Sequence, residues 1–495
     1  MSAGRLRLLT RVTGELLRRE ITERRSAGNV EEAARRRAIA VREAFERLGP
    51  LYMKVGQILS TRPDIVPPVL AEELEKLHDQ AEVLPFAAME PVLAADLGPA
   101  WRSRFAYLDA ARPLGAASLA QVYGGRLRGG EDVVVKVQRP GIAPVMNADM
   151  RLLRRATKRL ARCAPHFSET VDLPAMLAVV FDAIRPELDF RAEARNMDTA
   201  RKHVHGFGSL SVPDVLHATE RVMIQTFAPG VNIRDADHTA FKDDDREAIG
   251  RDLLAFMLRG YFERRFFHAD PHPGNILVDP EHGAAVIDWG SIGQIDRHTS
   301  MQLMLVLLSV SQNDGQGAAR AWTAMGKATP RADLPGFSAD ISLLTPQVFA
   351  ATMEELNFGS LFAAVLQRST RRGIATNPIV SVLGKSFANI DGSVRYFTPE
   401  ISVIDVFVEV LGQIVHSLVE EATSEIQLTR TLLEGLTSAS AVPAQLQDIV
   451  RDMANRETTL RSFNRYDESR SISIRTKQLA PLVAVYLLWR GRRTR

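Results

Sequence analysis

A short stretch rich in glycine, proline and histidine carries three polar side chains at a distinctive spacing. Asp270 precedes Asn275 by five residues in His-Ala-Asp-Pro-His-Pro-Gly-Asn, and Asn275 precedes Asp288 by thirteen. Asp288 follows a short apolar run, typical of a buried strand, and opens the tripeptide Asp-Trp-Gly. In phosphotransferases this spacing lets one aspartate orient the nucleophile while an asparagine and a second aspartate hold Mg²⁺ on a nucleotide. We therefore predict that Asp270 is catalytic and that Asn275 and Asp288 are metal ligands.

The same stretch permits a second interpretation, in which His268, Asp270 and His272 bind a metal ion. Alternate residues of an extended segment project to the same side, so these three side chains could converge. Such a site leaves the longer spacing to Asn275 and Asp288 unexplained. Oxygen ligands from two separate strand ends suit a hard cation that keeps several waters, so the phosphotransferase interpretation is favoured.

A site for nucleotide phosphates also needs a cation, and the sequence supplies one upstream. Lys136 lies in Val-Val-Val-Lys-Val, an apolar run that follows a predicted hairpin with its turn at Gly129-Gly130. Alternation along that strand can direct Lys136 into a cleft. Glu193, in a predicted helix over 170–204, is the candidate carboxylate partner. We predict that Lys136 binds phosphates and that both residues belong to the catalytic machinery.

The loop before this lysine departs from the glycine-rich loop that covers the phosphates in protein kinases. It reads Pro-Leu-Gly-Ala-Ala-Ser, with one glycine where three are typical. Alanine does not adopt positive φ freely, so we expect the backbone to approach the phosphates differently and nucleotide preference or turnover to be altered. The residues assigned to ATP binding in this loop are Gly115, Ala116, Ala117 and Ser118.

Together these motifs resemble those of the UbiB/AarF/ADCK family of atypical, protein-kinase-like ATPases. The resemblance includes Lys-x-Gly-Gln at 54–57, Glu-x-Asp at 187–189 and Val-Gln-Arg-Pro-Gly at 137–141, and it covers about residues 40–300 clearly. It implies an α+β, atypical bilobal protein-kinase-like fold with N-terminal and C-terminal helical extensions. The expected segments are a helical extension over 1–105, an N-lobe over 106–228, a C-lobe over 229–400 and a helical extension over 401–495.

The resemblance also implies roles for residues outside the central stretch. A helix carrying Lys-x-Gly-Gln is expected to lie over the cleft, which disfavours a protein substrate. The residues expected to gate the cleft are Lys54, Gln57, Glu187 and Asp189. At the expected hinge, Thr226 and Ala228 are assigned to ATP binding. Trp289 stands where the family has phenylalanine, a conservative change unless this aromatic sets an active or inactive packing.

The activity implied by the resemblance is ATP binding with hydrolysis or phosphoryl transfer, with ATP and Mg²⁺ as cofactors. It would support isoprenoid-quinone biosynthesis or lipid homeostasis at a membrane, with a lipid or isoprenoid-quinone precursor as a partner. Two alternatives stay open. One is a nucleotide-sensing pseudokinase that binds ATP or ADP and acts through a partner; the other is a small-molecule kinase, since the same residues serve any hydroxyl acceptor.

Composition favours a cytoplasmic protein, and its basic ends suit either contact with an anionic surface, such as the inner face of the cell membrane, or a solvated helix face. One cysteine permits no internal disulfide, and the net charge is only +3, yet residues 1–50 carry 12 Arg against 7 Glu. Leu6, Val12 and neighbouring leucines predict a basic amphipathic helix. The apolar run 479–489 is shorter than the ~20 residues of a membrane span, so it either lies at a bilayer interface or packs on the protein's own core. The sequence has no basic patch interleaved with aromatic residues of the kind that binds single-stranded nucleic acid, so we do not predict nucleic-acid binding.

One further motif, Gly384-Lys385-Ser386, matches the end of a Walker A loop. The glycine needed five residues earlier is Ile379, so that function is rejected. We interpret the tripeptide as the end of a helix with an exposed lysine.

Overall fold

The structure is a computed structural model that describes residues 2–26, 30–60, 66–77, 82–163, 173–329, 332–350, 358–423 and 429. The helices of these residues are α1 Ser2–Ser26, α2 Val30–Leu48, α3 Pro50–Ser60, α4 Pro68–Glu75, α5 Phe86–Leu97, α6 Ile142–Cys163, α7 Leu173–Ile184, α8 Phe190–Val204, α9 Asp243–Arg259, α10 Arg297–Ser311, α11 Gly315–Met325, α12 Leu334–Ala350, α13 Phe358–Arg371, α14 Pro378–Phe397 and α15 Val403–Thr423. The strands are β1 Phe105–Leu108, β2 Gly115–Ala116, β3 Ala120–Leu127, β4 Asp132–Gln138, β5 Leu210–Ser211, β6 Val215–Ala218, β7 Val222–Thr226, β8 Val231–Asn232, β9 Phe266–His268, β10 Ile276–Asp279, β11 Gly283–Val286, β12 Ile292–Gln294, β13 Gly326–Ala328 and β14 Ile374–Thr376.

The N-lobe consists of a six-stranded antiparallel sheet with α5 and α8. The strand order is β1-β3-β4-β7-β6, and β2 pairs with β3. The predicted hairpin is confirmed: β3 and β4 pair in register, and Gly130 at the turn has a φ of +96°, which glycine adopts without strain. Val133, Val135 and Val137 are buried against α5 in one core cluster. Alternation therefore places Lys136 on the opposite face of β4.

The C-lobe contains α9 to α14 and three small sheets. One sheet has four strands in the order β5-β11-β10-β8, and the others are the pairs β9–β12 and β13–β14. The predicted catalytic stretch connects β9 to β10, and Asp288 follows the end of β11. Because β10 and β11 pair antiparallel, with Ile276 opposite Val286, Asn275 and the strand end before Asp288 lie at the same edge of the sheet. Residues thirteen positions apart in sequence are thus neighbours.

The N-terminal extension packs against the rest of the chain through an apolar cluster. Val12 of α1 is almost fully buried, and Leu8, Leu9 and Leu16 pack on buried side chains of α3, α6 and α7. Arg5 of α1 forms an ion pair with the buried Asp149 of α6. The apolar face of the basic amphipathic helix is therefore covered, at least in part, by the protein's own core.

By internal contacts, the described residues up to Phe407 form one compact unit, and those from Val408 onward belong to a second. The α+β organisation with an N-terminal helical extension is confirmed, while the exact segment boundaries stay predictions. Among the described helices, none is long and apolar enough to cross a membrane. The predicted interfacial run 479–489 lies outside the described residues.

Candidate active site

Lys136 forms the centre of an ion-pair cluster at the junction of the two lobes, in which Lys136 and Glu193 are largely buried and Asp288 is exposed. Its Nζ lies 2.6 Å from Glu193 Oε1 and 3.1 Å from Asp288 Oδ1. β4 contributes the lysine, α8 the glutamate and the segment after β11 the aspartate. Burial alone would lower the pKa of Lys136, but the carboxylates of Asp288 and Glu193 outweigh it and hold the pKa above its ordinary value. The predicted partner Glu193 and the predicted metal ligand Asp288 therefore both contact Lys136.

Asp288 adopts a backbone conformation that is uncommon for a residue with a side chain. Its φ is +61°, in the left-handed region, which aspartate and asparagine tolerate better than most residues. Lys136 holds the pKa of its carboxyl well below the ordinary value, and Lys54 of α3 lies near enough to add to this effect. The carboxylate is therefore ionised, as a ligand of a hard cation must be.

Trp289 anchors the Asp-Trp-Gly segment in the C-lobe core. The indole is fully buried, its Nε1 donates to the Val286 carbonyl over 3.0 Å, and its ring stacks on Phe266 with centroids 6.0 Å apart. Asn196 Nδ2 of α8 donates to the Trp289 carbonyl over 2.9 Å. The tripeptide is thus held from the core and from the helix that carries Glu193.

Asn275 is oriented so that its amide oxygen is the end left for a ligand. Its Nδ2 donates to the Asp270 carbonyl over 3.0 Å, and its backbone carbonyl accepts from the Ile287 amide over 2.9 Å. The second bond ties the loop to the residue before Asp288. An amide oxygen and an ionised carboxylate from two neighbouring strand ends form a donor set that fits Mg²⁺, which takes few protein oxygens and completes its shell with phosphates and water.

The histidines of the stretch are committed to structural hydrogen bonds. His268 Nδ1 accepts from the Asp270 amide over 3.1 Å, and its Nε2 lies 3.1 Å from the Ile287 carbonyl. His272 Nδ1 accepts from the Gly274 amide over 3.0 Å. Within the described ranges, no group of three or more His, Cys, Asp or Glu residues could hold a metal ion. The geometry thus gives no support to a His268–Asp270–His272 metal site.

The Asp270 carboxylate contacts two residues of α14 that the sequence did not indicate. Asn389 Nδ2 donates to Oδ1 over 2.6 Å, and Lys385 Nζ lies 3.1 Å from Oδ2. Burial would raise the pKa of Asp270, but Lys385, together with the nearby His272 and His268, outweighs it and holds the pKa below its ordinary value. The interpretation of the tripeptide 384–386 as a helix end is wrong, because it lies inside α14.

The alanine-rich loop is fastened to its surroundings by Arg139. Gly115 and Ala116 form β2 and pair with β3, and Ser118 is buried. Arg139 Nε donates to the Ala117 carbonyl over 2.8 Å, and its Nη2 donates to the Glu82 carbonyl over 2.7 Å. The loop is therefore tied both to the strand of Lys136 and to the segment before α5.

The expected hinge connects the two lobes. Thr226 ends β7 of the N-lobe sheet, and the chain passes through Ala228 to β8 of the C-lobe sheet. The Thr226 amide donates to the Asp214 carbonyl, and its Oγ1 accepts from the Asp214 amide, each over 2.9 Å. This pair of bonds fixes the end of β7, from which Ala228 follows as a half-buried residue.

The Lys-x-Gly-Gln helix is held against both α4 and the Glu-x-Asp segment. Lys54 Nζ lies 3.0 Å from Glu187 Oε2, and Gln57 Nε2 donates to the Leu77 carbonyl over 2.9 Å. A Cβ on Gly56 would lie 2.3 Å from a methyl group of Leu77, just after α4, so a larger residue here would have to displace that side chain. Asp189 caps α8 by accepting from the Arg191 amide.

The chain is similar to several known kinase-like proteins. The sequence profile of the ABC1 atypical kinase-like domain matches residues 76–322. A probable protein kinase UbiB of Pseudomonas fluorescens is 31% identical over 82% of this chain and 79% of its own length. A probable protein kinase UbiB of Aeromonas salmonicida is 30% identical over 74% of this chain and 68% of its own length. Among solved structures, the complex of Rv3197 with erythromycin from Mycobacterium tuberculosis has a TM-score of 0.47. Rv3197 is 21% identical to this chain, and the match covers 71% of this chain and 93% of Rv3197.

Proposed function

Because this chain belongs to the ABC1 atypical kinase-like family, we propose that it binds Mg-ATP and transfers or hydrolyses the γ-phosphoryl group. The observation that carries the proposal is the cluster in which Lys136 bridges Glu193 and Asp288, beside the loop of Asp270 and Asn275. Phosphoryl transfer depends on positioning and on neutralising charge. The cluster supplies a fixed cation and the Asp288 carboxylate, and the adjoining loop supplies the Asn275 amide oxygen.

Each residue has a separate task in this proposal. Lys136, fixed by Glu193, binds nucleotide phosphates, and the Asn275 amide oxygen with the Asp288 carboxylate would hold Mg²⁺. When bound, Mg²⁺ neutralises charge that develops on the phosphates. Asp270 orients the hydroxyl of the acceptor or a water molecule.

The transfer step follows from these positions. The acceptor oxygen forms a bond to the γ-phosphorus, and the bond from that phosphorus to the β–γ bridging oxygen breaks. The bridging oxygen keeps the electron pair and leaves as part of ADP, while Asp270 receives the acceptor proton. If the acceptor is water the products are ADP and phosphate; if it is a hydroxyl compound, ADP and a phosphate ester.

The test is Mg²⁺-dependent ATP binding and ADP release by the full chain and by Asp288→Asn. Asparagine tolerates the left-handed backbone, so the variant should fold, but it loses the charge that metal binding needs. We expect release to fall at least about 100-fold. Asp244→Asn, the same change at an exposed site in the first turn of α9, should behave as wild type. Wild type that binds no nucleotide in the presence of Mg²⁺ would overturn the proposal.

We further propose that the acceptor is a lipid or an isoprenoid-quinone precursor at an anionic membrane surface. Its support is the family resemblance, which implies that α3 lies over the cleft and disfavours a protein substrate, together with Lys54 of α3, which pairs with Glu187 and lies near enough to lower the pKa of Asp288. Anionic liposomes should raise ADP release relative to neutral ones. Binding without release under either condition would instead favour the nucleotide-sensing pseudokinase.

A further inference from the structure

A helix far downstream of the catalytic stretch holds the Asp270 side chain at both carboxylate oxygens. Asn389 donates to Oδ1, and the Lys385 ammonium contacts Oδ2. The two residues are four positions apart on α14, so they lie on the same face of the helix, one turn apart. A carboxylate held at both oxygens cannot rotate freely, so α14 fixes the plane of the group that must face the acceptor.

Two buried serines attach α14 to the backbone on either side of Asp270. Ser386 Oγ donates to the His268 carbonyl over 2.6 Å, and Ser393 Oγ donates to the Pro271 carbonyl over 3.0 Å. Both serines are fully buried. Leaving a buried carbonyl without its donor is costly, so α14 and the loop should move as one unit.

Lys385 also supplies a positive charge that the loop lacks. Residues 268–275 include no lysine or arginine, and Lys136 is already paired with two carboxylates. The Lys385 side chain is 34% exposed and that of Asp270 is 36% exposed, so an acceptor can reach both. A cation at this position contacts the carboxylate that, in the proposed function, orients the nucleophile.

We propose, on the basis of the phosphotransferase function above, that Lys385 and Asn389 form the acceptor half of the site. Asn389 is a positioning residue that fixes the Asp270 carboxylate. Lys385 places its ammonium where the phosphoryl group arrives, and it contacts the oxygens of that group during transfer. Charge placed to match the transition state accelerates transfer without tightening the binding of ground-state nucleotide.

The test uses the full chain with Lys385→Met, Lys385→Arg and Asn389→Leu, and the exposed Lys327→Met as a charge-matched control. We expect Lys385→Met to lower kcat for ADP release about 100-fold while the Kd for Mg-ADP changes less than about twofold. Lys385→Arg should restore at least about tenfold, and Asn389→Leu should lose about tenfold through misorientation of Asp270. A merely structural role would lower the melting temperature and nucleotide affinity, without rescue by arginine.

A second measurement does not require turnover. Mg-ADP with aluminium fluoride mimics the transferred phosphoryl group, and its affinity relative to Mg-ADP alone should fall at least about tenfold in Lys385→Met but not in Lys327→Met. An unchanged ratio, or wild-type turnover in Lys385→Met, overturns the inference and leaves the proposed function intact. A wild-type chain that binds no Mg-nucleotide overturns both.

Discussion

The Lys54 ammonium of α3 and the Glu187 carboxylate lie 3.0 Å apart, with only 17% and 15% of their side chains exposed. The pair joins the N-terminal extension to the segment that leads into α8, the helix that carries Glu193. A partly buried ion pair loses more when one partner is removed than when both are replaced, because the remaining charge is left desolvated.

The first prediction is therefore a strong coupling between these two residues. Lys54→Met and Glu187→Gln should each destabilise the protein, and the double variant should be more stable than the sum predicts, with a coupling free energy of about 1–3 kcal/mol. Urea unfolding of the four proteins measures it. Additive effects would mean that the pair does not hold α3 in place.

The second prediction concerns the two hydrogen bonds by which Arg139 holds the alanine-rich loop, called here the Arg139 clip. Arg139→Met removes two hydrogen bonds from a charged donor, to the carbonyls of Ala117 and Glu82, so the loop should loosen. We expect the Kd for Mg-ATP to change about 5–10-fold, because the backbone that contacts phosphates is no longer fixed. Arg128→Met, an exposed arginine at the neighbouring hairpin turn, is the control. An unchanged Kd would show that the clip does not govern nucleotide binding.

Local sequence patterns predicted where Lys136, Asn275 and Asp288 lie in the strands and hairpin, and for a physical reason. The position of Lys136 follows from strand alternation, and the positions of Asn275 and Asp288 follow from the antiparallel pairing of β10 and β11. Each needs only the geometry of one strand or one hairpin. Such geometry is fixed by the alternation of side chains between the two faces of a strand and by the residues of the turn.

The contacts of Asp270 with α14 could not be predicted in this way. They join residues more than a hundred positions apart, and the crossing of α14 over the loop depends on the packing of the whole C-lobe. The sequence does carry a signal: Lys385, Ser386, Asn389 and Ser393 are polar residues at helical spacing. The same residues would suit an exposed helix face, so the pattern alone does not indicate their target.

The third prediction is a loss of stability when the indole of Trp289 is replaced by the smaller phenyl ring of phenylalanine. Trp289→Phe removes the hydrogen bond to the Val286 carbonyl and leaves a cavity between Phe266 and His268, which lie 6.0 and 4.9 Å from the indole by ring centroid. The free energy of unfolding should fall by about 2–4 kcal/mol. Urea unfolding measures it, with the exposed Tyr107→Phe as control. A loss below about 0.5 kcal/mol would show that phenylalanine fills the site equally well.

The last prediction is a pH dependence of stability that arises from His268. Burial lowers the pKa of this imidazole, and its Nδ1 must stay unprotonated to accept from the Asp270 amide. An unfolded chain regains an ordinary histidine pKa of about 6.5, so below that pH the unfolded state binds the proton more readily and unfolding becomes more favourable, by at most about 1.4 kcal/mol per pH unit. The contribution of His268 to the free energy of unfolding is therefore complete above about pH 7 and declines as the pH falls through the region below 6.5.

His268→Gln keeps one acceptor and one donor but cannot titrate, so the fall in its unfolding free energy between pH 7.5 and 5.5 should be smaller than in wild type, by about 1 kcal/mol. His205→Gln, at an exposed site, should retain the wild-type slope. Equal slopes for wild type and His268→Gln would show that His268 is not the titrating group.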